Sequence, residues 1–384
     1  MTVTVINVLA VNLYVPTLPD IARSLQATEA QAQFTLTAFM LAYAGAQLVY
    51  GPIADRLGRR RVMLAGLLLF LAGTLLAAVA PTIGWLTGAR VLQALGAAGS
   101  TILARAMVRD LYERADAARI MSYLGIGSGL AGAIGPFFGG WLLVATGTWR
   151  GGFLAIAAFT IVPLIVVWLI VRETLKAPAP SRGLFGFLAN YAALLRLPGY
   201  TLYALGGALL NAAFFAFLVA VPFVLERVYD LTAAEVGLVL VNTTIGYMAG
   251  NLIAARIGAR LGLERLVLLG ALLCAGPALA MVLLSGWEAI GLAAIIGPML
   301  VYGVGAGFSI PPSGVIAVSV NPQIAATASG LYGFLSFSIG ALGTVLAGQV
   351  GYDSIVPSAL LLMVLATASA GCYVAGLWLA RPKR

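Results

Sequence analysis

Apolar residues run through this chain in long blocks, not in the short alternating patterns of soluble strands and helices. Most blocks are 18 residues or longer, which is the length at which a helix crosses the hydrocarbon core of a bilayer. The twelve blocks lie at about residues 3–21, 32–54, 62–79, 82–106, 117–145, 150–171, 199–225, 235–258, 266–285, 289–318, 324–350 and 355–380. This pattern predicts an all-α membrane protein with twelve transmembrane helices.

One connection between these segments is longer than the others and is rich in proline and basic residues, at 172–198. It predicts two six-helix bundles, at residues 1–171 and 199–384, with a cytoplasmic linker between them. An internal repeat supports this division, because residues 55–66 align without gaps with residues 259–270. Each copy follows the second helix of its half, as expected for pseudo-symmetric bundles.

Charged residues make up only 9% of the chain, whereas soluble domains carry about 25%. When helix ends are assigned alternately with residues 51–61 inside, the inner segments hold 18 of the 22 Lys and Arg residues. The positive-inside rule then places both termini in the cytoplasm. The net charge of +9 therefore reflects topology, and the expected partner is a lipid bilayer and not nucleic acid.

The composition also excludes several chemistries. The chain has no histidine, and its two cysteines, Cys274 and Cys372, lie inside apolar segments. We therefore expect no metal site, no cofactor and no disulfide framework. There is no HExxH, GxSxG or nucleotide-binding signature and no pair of intramembrane carboxylates, which argues against a membrane enzyme or an ATP-driven pump.

A dense charged stretch separates the second and third segments, and it predicts a tight inner turn. Its pattern combines two glycines, an aspartate and several arginines, namely Gly51, Asp55, Arg56, Gly58, Arg59 and Arg60. Arg109 and Asp110 follow the fourth segment on the same side and are placed to pair with Arg59 or Arg60. A solvated run of charges is the alternative, since exposed pairs contribute little by themselves.

Arg90 lies inside the fourth segment, where a guanidinium costs several kcal/mol and usually faces the bundle interior or a wet cavity. Gln93 follows at i+3, on the same helical face. The alternative is that Arg90 extends to the membrane interface. Its distance from both predicted helix ends favours a cavity residue.

Two further patterns stand out in the first and fifth segments. Asn12 and Tyr14 precede two prolines in the first segment. The fifth segment carries small residues around a proline, namely Gly132, Gly135, Pro136, Gly139 and Gly140. Glycines on one helical face permit close approach of a neighbouring helix, so ordinary packing is the alternative interpretation.

Together these motifs resemble those of major facilitator superfamily transporters, and in particular the drug:proton antiporters of the bicyclomycin and chloramphenicol resistance group. The resemblance implies that Arg90 takes part in proton coupling, that Asp55 belongs to an inner latch near the start of the eleventh helix, and that the glycine motif of the fifth helix marks an exporter. The chain departs from the group at Asn12, where the family often has the acid that carries the proton.

The function implied is export of small amphiphilic drugs by proton antiport with alternating access, by a monomer in the bacterial inner membrane. The alternative is an exporter or facilitator of a metabolite such as a sugar or amino acid derivative, without proton coupling. Because Arg90 is the main intramembrane charge, we predict neutral or zwitterionic substrates over cations. Further candidates for the substrate cavity are Tyr43, Tyr123, Asn211, Phe214, Phe215, Asn242, Tyr302, Tyr332 and Phe334.

Overall fold

The computed structural model describes residues 2–175, 191–285, 291–320 and 325–379. Within these ranges the regular structure is helical. Twelve of the helices are long and apolar enough to cross a membrane. The predicted class, an all-α multi-pass membrane protein, is confirmed.

The twelve spans are numbered α1 to α12 in chain order. The first, α1, has two parts, Thr2–Asn12 and Leu18–Ser24, with the 3-10 turn Val15–Thr17 between them. The others are α2 (Glu29–Leu57), α3 (Arg59–Ala78), α4 (Ile83–Leu111), α5 (Arg114–Thr146), α6 (Arg150–Leu169), α7 (Pro198–Tyr229), α8 (Ala233–Leu261), α9 (Leu263–Leu284), α10 (Ala293–Ser319), α11 (Ala325–Ala347) and α12 (Val356–Leu379).

Local sequence signals explain where several of these helices begin and end. Thr28 forms a capping box with Gln31 at the start of α2, and the Thr82 hydroxyl accepts from the backbone N–H of Trp85 at the start of α4. Gly147 ends α5 in the left-handed conformation. Prolines interrupt α1 near residue 16 because they lack the N–H that continues a helix.

The chain divides into two compact units. The first comprises Met1–Pro180 and Leu231–Val241, and the second comprises Ser181–Asp230 and Asn242–Arg384. In the first unit α4 packs on α3, α3 on α6, and α1 on α4, α5 and α6. In the second unit α10 packs on α9, α9 on α12, and α7 on α10, α11 and α12. The pairings repeat six helices apart, as the internal repeat predicts.

The turn between α2 and α3 is shorter than the sequence indicated. The α2 helix continues through Gly51 to Leu57 and α3 begins at Arg59, so Gly58 alone interrupts the helical backbone. The φ angle of Gly58 is +93°, which glycine adopts without steric cost. Gly262, its counterpart in the repeat, has a φ angle of +82° between α8 and α9. The aligned segments therefore form the same one-residue turn.

Candidate functional site

Arg90 lies wholly buried in the first unit, at 0% exposure. Its guanidinium carbon is 4.3 Å from the ring centroid of Tyr14 in α1 and 4.3 Å from that of Phe39 in α2. The ring of Phe153 in α6 is 6.0 Å away. Three aromatic rings from three helices thus surround the charge, and cation–π attraction replaces part of its lost hydration.

Among the described residues, Arg90 makes its hydrogen bonds through one nitrogen, Nη1. Nη1 donates to the carbonyl oxygen of Ala10 at 2.9 Å and to Oε1 of Gln93 at 2.6 Å. Nε2 of Gln93 in turn donates to the hydroxyl of Thr74 in α3, at 2.8 Å. The structure therefore brings Arg90, Gln93 and Tyr14 together, and contacts around Arg90 join α1, α2, α3 and α4, with α6 adding Phe153.

Close packing of α3 against α4 makes this chain of bonds possible. A Cβ on Gly73 would overlap the backbone of Gln93, so only glycine lets Thr74 approach the amide. Phe39 stacks on Tyr43 one turn later in α2, with ring centroids 6.3 Å apart. Tyr43 is buried beside this aromatic group, whereas Tyr123 on α5 is 43% exposed.

The opposite edge of the guanidinium is unsatisfied. Nε and Nη2 of Arg90 are buried and have no hydrogen-bond partner among the described residues. Asn12 donates to the carbonyl oxygen of Val8 in its own helix, at 2.8 Å, and not to this edge. The described carboxylates all lie within about five residues of a helix end or in connecting segments.

A narrow cleft with about 10 Å³ of free space, enough for about one water molecule, lies beside this group, and Tyr14 and Phe153 form part of its wall. The remaining lining residues are Leu13, Thr17, Trp149, Gly152 and Ile156. Tyr14 and Phe153 meet edge to face, with centroids 5.7 Å apart. Drug pockets usually enclose roughly 300–1,000 Å³, so the cleft in this structure is far smaller than a complete drug site.

A second polar group lies at the start of α3. Arg59 forms ion pairs with Asp110 of α4 and with Asp55 one turn earlier, the latter at 3.6 Å. The Thr174 hydroxyl donates to Oδ2 of Asp110 at 3.1 Å. The pairing of Arg59 with Asp110 is the contact that the sequence suggested.

Glu173, which follows α6, completes this group. Its carboxylate accepts the backbone N–H groups of Arg59 at 2.8 Å and Arg60 at 3.2 Å, at the open N-terminus of α3. Burial alone would raise the pKa of Glu173, but the N–H groups of Leu175, Arg59, Arg60 and Thr174 outweigh it. The pKa of this carboxyl is therefore below its ordinary value.

Arg60 makes the reciprocal contact, from α3 to the C-terminal end of α6. Nη2 of its guanidinium donates to the carbonyl oxygen of Trp168, in the last turn of α6, at 2.6 Å. Of the other predicted gate residues, Arg56 is exposed in α2 and Gly51 has an open space where a Cβ would stand. The side chain of Arg109 lies outside the described residues.

The glycines of α5 separate into two groups. A Cβ on Gly135 or Gly139 would overlap Asn12 or Leu13 of α1. A Cβ on Gly140 would overlap Ala233, in the first turn of α8, which belongs to the first unit. A Cβ on Gly237 would overlap the carbonyl oxygen of Pro136. These glycines therefore let α5 pack closely against α1 and against the first turns of α8.

The predicted cavity residues of the second unit mostly bond to neighbouring backbones. Asn211 donates to the carbonyl oxygen of Ser336 at 3.3 Å, and Asn242 to that of Ile296 at 2.7 Å. Tyr302 is fully buried and donates to the carbonyl oxygen of Leu210 at 3.3 Å, while Tyr332 donates to that of Ile310 at 2.8 Å. Phe214 and Phe215 meet edge to face, and Phe334 is half-buried.

Sequence reasoning did not identify Phe39, Phe153, Thr74 or Glu173. For Glu173 a signal was present: α3 opens with three arginines and no acid in its first turn, so an N-terminal partner had to come from elsewhere. Phe39 and Phe153 carry no local signal, because their contacts with Arg90 join residues far apart in sequence.

Family, sequence and structure comparisons show which known proteins resemble this chain. A family model described as Major Facilitator Superfamily matches residues 1–344. The multidrug resistance protein D of Escherichia coli (strain K12) is 29% identical over 332 residues, which cover 85% of this chain and 82% of that protein. The chloramphenicol resistance protein of Pseudomonas aeruginosa is 25% identical over 367 residues, covering 94% and 86%.

The fold also matches a solved transporter. The crystal structure of a D-xylose–proton symporter superimposes with a TM-score of 0.78 at 13% identity, covering 99% of this chain and 96% of that one. These relatives are transporters and not enzymes. With the family model matching 344 of 384 residues, twelve spans and the paired glycine turns, the chain belongs to the Major Facilitator Superfamily.

Proposed function

We propose that this protein exports small amphiphilic drug-like molecules from the bacterial cytoplasm. The observation that carries the proposal is Arg90, a buried cation ringed by aromatic side chains beside an apolar cleft. Apolar walls with a few fixed polar groups suit amphiphilic ligands. The names of the multidrug and chloramphenicol resistance relatives support the same substrate class.

The proposal includes the membrane, the mechanism and the counter-ion. The protein works as a monomer in the inner membrane with both termini in the cytoplasm, which the distribution of Lys and Arg supports. It alternates access through movement of its two halves and takes up protons in exchange for drug. The family resemblance of Arg90 and of the α5 glycine motif supports these parts.

Charge determines which drugs are preferred. Two like charges 4 Å apart repel by about 4 kcal/mol at an effective dielectric constant of about 20. Arg90 has no carboxylate partner among the residues that the structure describes, so it repels a cation that enters the adjoining cleft. We therefore expect phenicol-like neutral or zwitterionic compounds to be exported in preference to quaternary ammonium dyes.

A second candidate is export or facilitated passage of a small metabolite, such as a sugar or amino acid derivative, without proton coupling. The observation that favours it is Asn12, which stands at the family's acid position and bonds to its own helix. In that case the substrate gradient alone drives net movement.

Drug accumulation in cells tests the proposal. Cells that lack their own major exporters would express the wild-type protein, Arg90→Ala or Arg256→Gln, a control that removes an exposed arginine. We expect the wild type and Arg256→Gln to lower chloramphenicol accumulation several-fold, and Arg90→Ala to lose this effect at equal protein level. Robust export of ethidium without export of chloramphenicol would contradict the proposed preference.

The counter-ion is measured separately in everted membrane vesicles that maintain a pH gradient. Proton antiport predicts that chloramphenicol dissipates this gradient in vesicles containing the wild-type protein and leaves it intact with Arg90→Ala. Drug transport that leaves the gradient unchanged would support the second, uncoupled candidate.

A further inference from the structure

Tyr14 stands where α1 is broken, and two threonines hold it there. The backbone carbonyl oxygen of Tyr14 accepts from the N–H of Thr17 at 3.0 Å and from the Thr17 hydroxyl at 2.7 Å. The phenol oxygen of Tyr14 is hydrogen-bonded to Oγ1 of Thr35, in α2. Tyr14 and Thr35 are both buried, so water does not compete for this bond. The contact with Thr35 therefore ties α2 to the break in α1.

The direction of the bond between the two hydroxyls follows from a third group. Oγ1 of Thr35 donates to the carbonyl oxygen of Ala32, at 2.6 Å. A threonine hydroxyl carries a single hydrogen, so Thr35 has none left for Tyr14 and can only accept from it. Tyr14 therefore donates its O–H to Thr35, and the phenol proton is directed towards α2.

This bond determines which part of Tyr14 meets the buried charge. The guanidinium carbon of Arg90 is 4.3 Å from the ring centroid of Tyr14, so the cation lies against the ring face, where the negative charge of the ring is concentrated. Nε and Nη2 of Arg90 have no partner among the described residues. A phenol oxygen released from Thr35 could accept from such donors, and the ring would then turn its edge to the guanidinium.

We propose that Thr35 is a positioning residue of the transport site. By accepting the phenol proton it holds the ring of Tyr14 over Arg90 and fixes the break of α1 against α2. Broken helices of secondary transporters contribute to their substrate and ion sites, so the position of this break bears on transport. The inference rests on the proposed function, in which Arg90 takes part in export, and it adds a residue that acts through Tyr14.

NMR of the purified full-length protein, labelled at Cζ of tyrosine, measures the state of Tyr14 directly. The resonance of Tyr14 is identified by its loss in Tyr14→Phe. Thr35→Val removes the acceptor at nearly constant side-chain shape, so we expect this resonance to shift. Thr35→Ser keeps the acceptor and should leave the resonance in place. An unchanged Tyr14 resonance in Thr35→Val would overturn the proposal.

Two further variants keep this measurement decisive. Thr160→Val removes an equally buried hydroxyl, from α6, and should leave the Tyr14 resonance where it is in the wild type. If Thr35→Val does not fold, Thr35→Ala removes the same acceptor without placing a second methyl group beside the phenol and is measured in its place.

A double-mutant cycle tests whether Thr35 acts on transport through Tyr14. In everted vesicles with equal protein levels, we expect Thr35→Val to lower the maximal rate of chloramphenicol transport about two- to tenfold, as the loss of one net hydrogen bond predicts. Thr35→Ser should restore the rate. Tyr14→Phe keeps the ring and removes the hydroxyl, so Thr35→Val should lower its rate no further. Effects that multiply in the double variant would contradict the proposal.

The outcomes separate this proposal from the proposed function. If Thr35→Val transports chloramphenicol at the wild-type rate although its Tyr14 resonance has shifted, the proposed function stands and the positioning role is wrong. If the wild type does not export chloramphenicol, the proposed function fails and the transport role of Thr35 fails with it, even where the NMR shift demonstrates the bond to Tyr14.

Discussion

At the scale of single residues, no carboxylate in the described part of the chain pairs with the buried guanidinium of Arg90. Two aromatic rings at 4.3 Å contribute about 1–2 kcal/mol each in a desolvated site. Removing the charge from water costs several kcal/mol, so the rings offset only part of that cost. The hydrogen bonds through Gln93 to Thr74 are therefore important for holding the side chain in place.

Thr74→Val tests this chain of hydrogen bonds. The substitution leaves the Nε2 group of Gln93 without its acceptor in a buried site, and we expect it to lower the free energy of unfolding by about 1–3 kcal/mol. Thermal unfolding in detergent measures the change, and chloramphenicol export is expected to fall with it.

Thr160→Val is the matched control for that substitution. Thr74 and Thr160 are both fully buried, and each hydroxyl donates to the carbonyl oxygen four residues earlier at 2.7 Å. Only Thr74 also accepts from Gln93. An equal loss of stability in the two variants would show that the bond to Gln93 contributes nothing.

At the scale of helices, α3 and α6 cap each other. The first turn of α3 begins with arginines at the positive end of its dipole, which is unfavourable. Glu173 supplies the missing carboxylate to the N–H groups of Arg59 and Arg60. Arg60 in return donates to carbonyl oxygens in the last turn of α6, at Trp168 and Val167. The carboxylate that follows α6 thus accepts from N–H groups of α3, and an arginine of α3 donates to carbonyl oxygens of α6.

Glu173→Gln is expected to weaken this cap by about 1 kcal/mol. Because the pKa of Glu173 is lowered in the folded protein, its contribution is complete above the unfolded value of about 4.5 and is lost as pH falls through the lower folded value. Melting temperatures of the wild type and the variant should therefore differ at pH 7 and converge as the pH falls below the folded pKa.

Glu113→Gln is the control for the cap. Glu113 is exposed at the start of α5 and makes no side-chain capping bond there. The Glu113→Gln variant should have the same melting temperature as the wild type at pH 7. A Glu173→Gln variant whose melting temperature is no lower than that of Glu113→Gln would contradict the reciprocal cap.

The contact of α1 with α5 provides another test. Gly139→Ala places a Cβ against the carbonyl oxygen of Leu13, and such overpacking costs about 1–3 kcal/mol. Gly129→Ala, in the same helix, meets open space and is expected to be neutral or stabilising by up to about 1 kcal/mol. Thermal unfolding distinguishes them, and equal effects would mean that α1 shifts to accommodate the methyl group.

Comparison of these elements with the sequence shows which features were predictable. Long apolar runs predicted the twelve spans, and the i+3 spacing placed Arg90 and Gln93 on one helical face, where the structure shows them hydrogen-bonded. The turn between α2 and α3 was predicted too long, because Pro52 lies inside α2 and only Gly58 leaves the helical region. The contacts of Phe39, Phe153 and Glu173 arise from packing between distant segments, which hydrophobic pattern does not encode.

At the scale of the whole molecule, charge predicts orientation, and thiol labelling of intact cells measures it. In a background with Cys274→Ala and Cys372→Ala, Asp353→Cys should react with an impermeant reagent added outside, since that position is exposed on a predicted outer segment. Glu113→Cys is exposed on the predicted inner side and should react only after the membrane is permeabilised. The reverse pattern would invert the topology.

The cap on α3 also has a consequence for the order in which the protein assembles. Glu173 lies 114 positions after Arg59, so α3 is synthesised and inserted long before its capping carboxylate leaves the ribosome. Until then, the nascent helix exposes uncapped N–H groups beside three arginines. The N-terminal end of α3 therefore reaches its final form only when translation has passed α6.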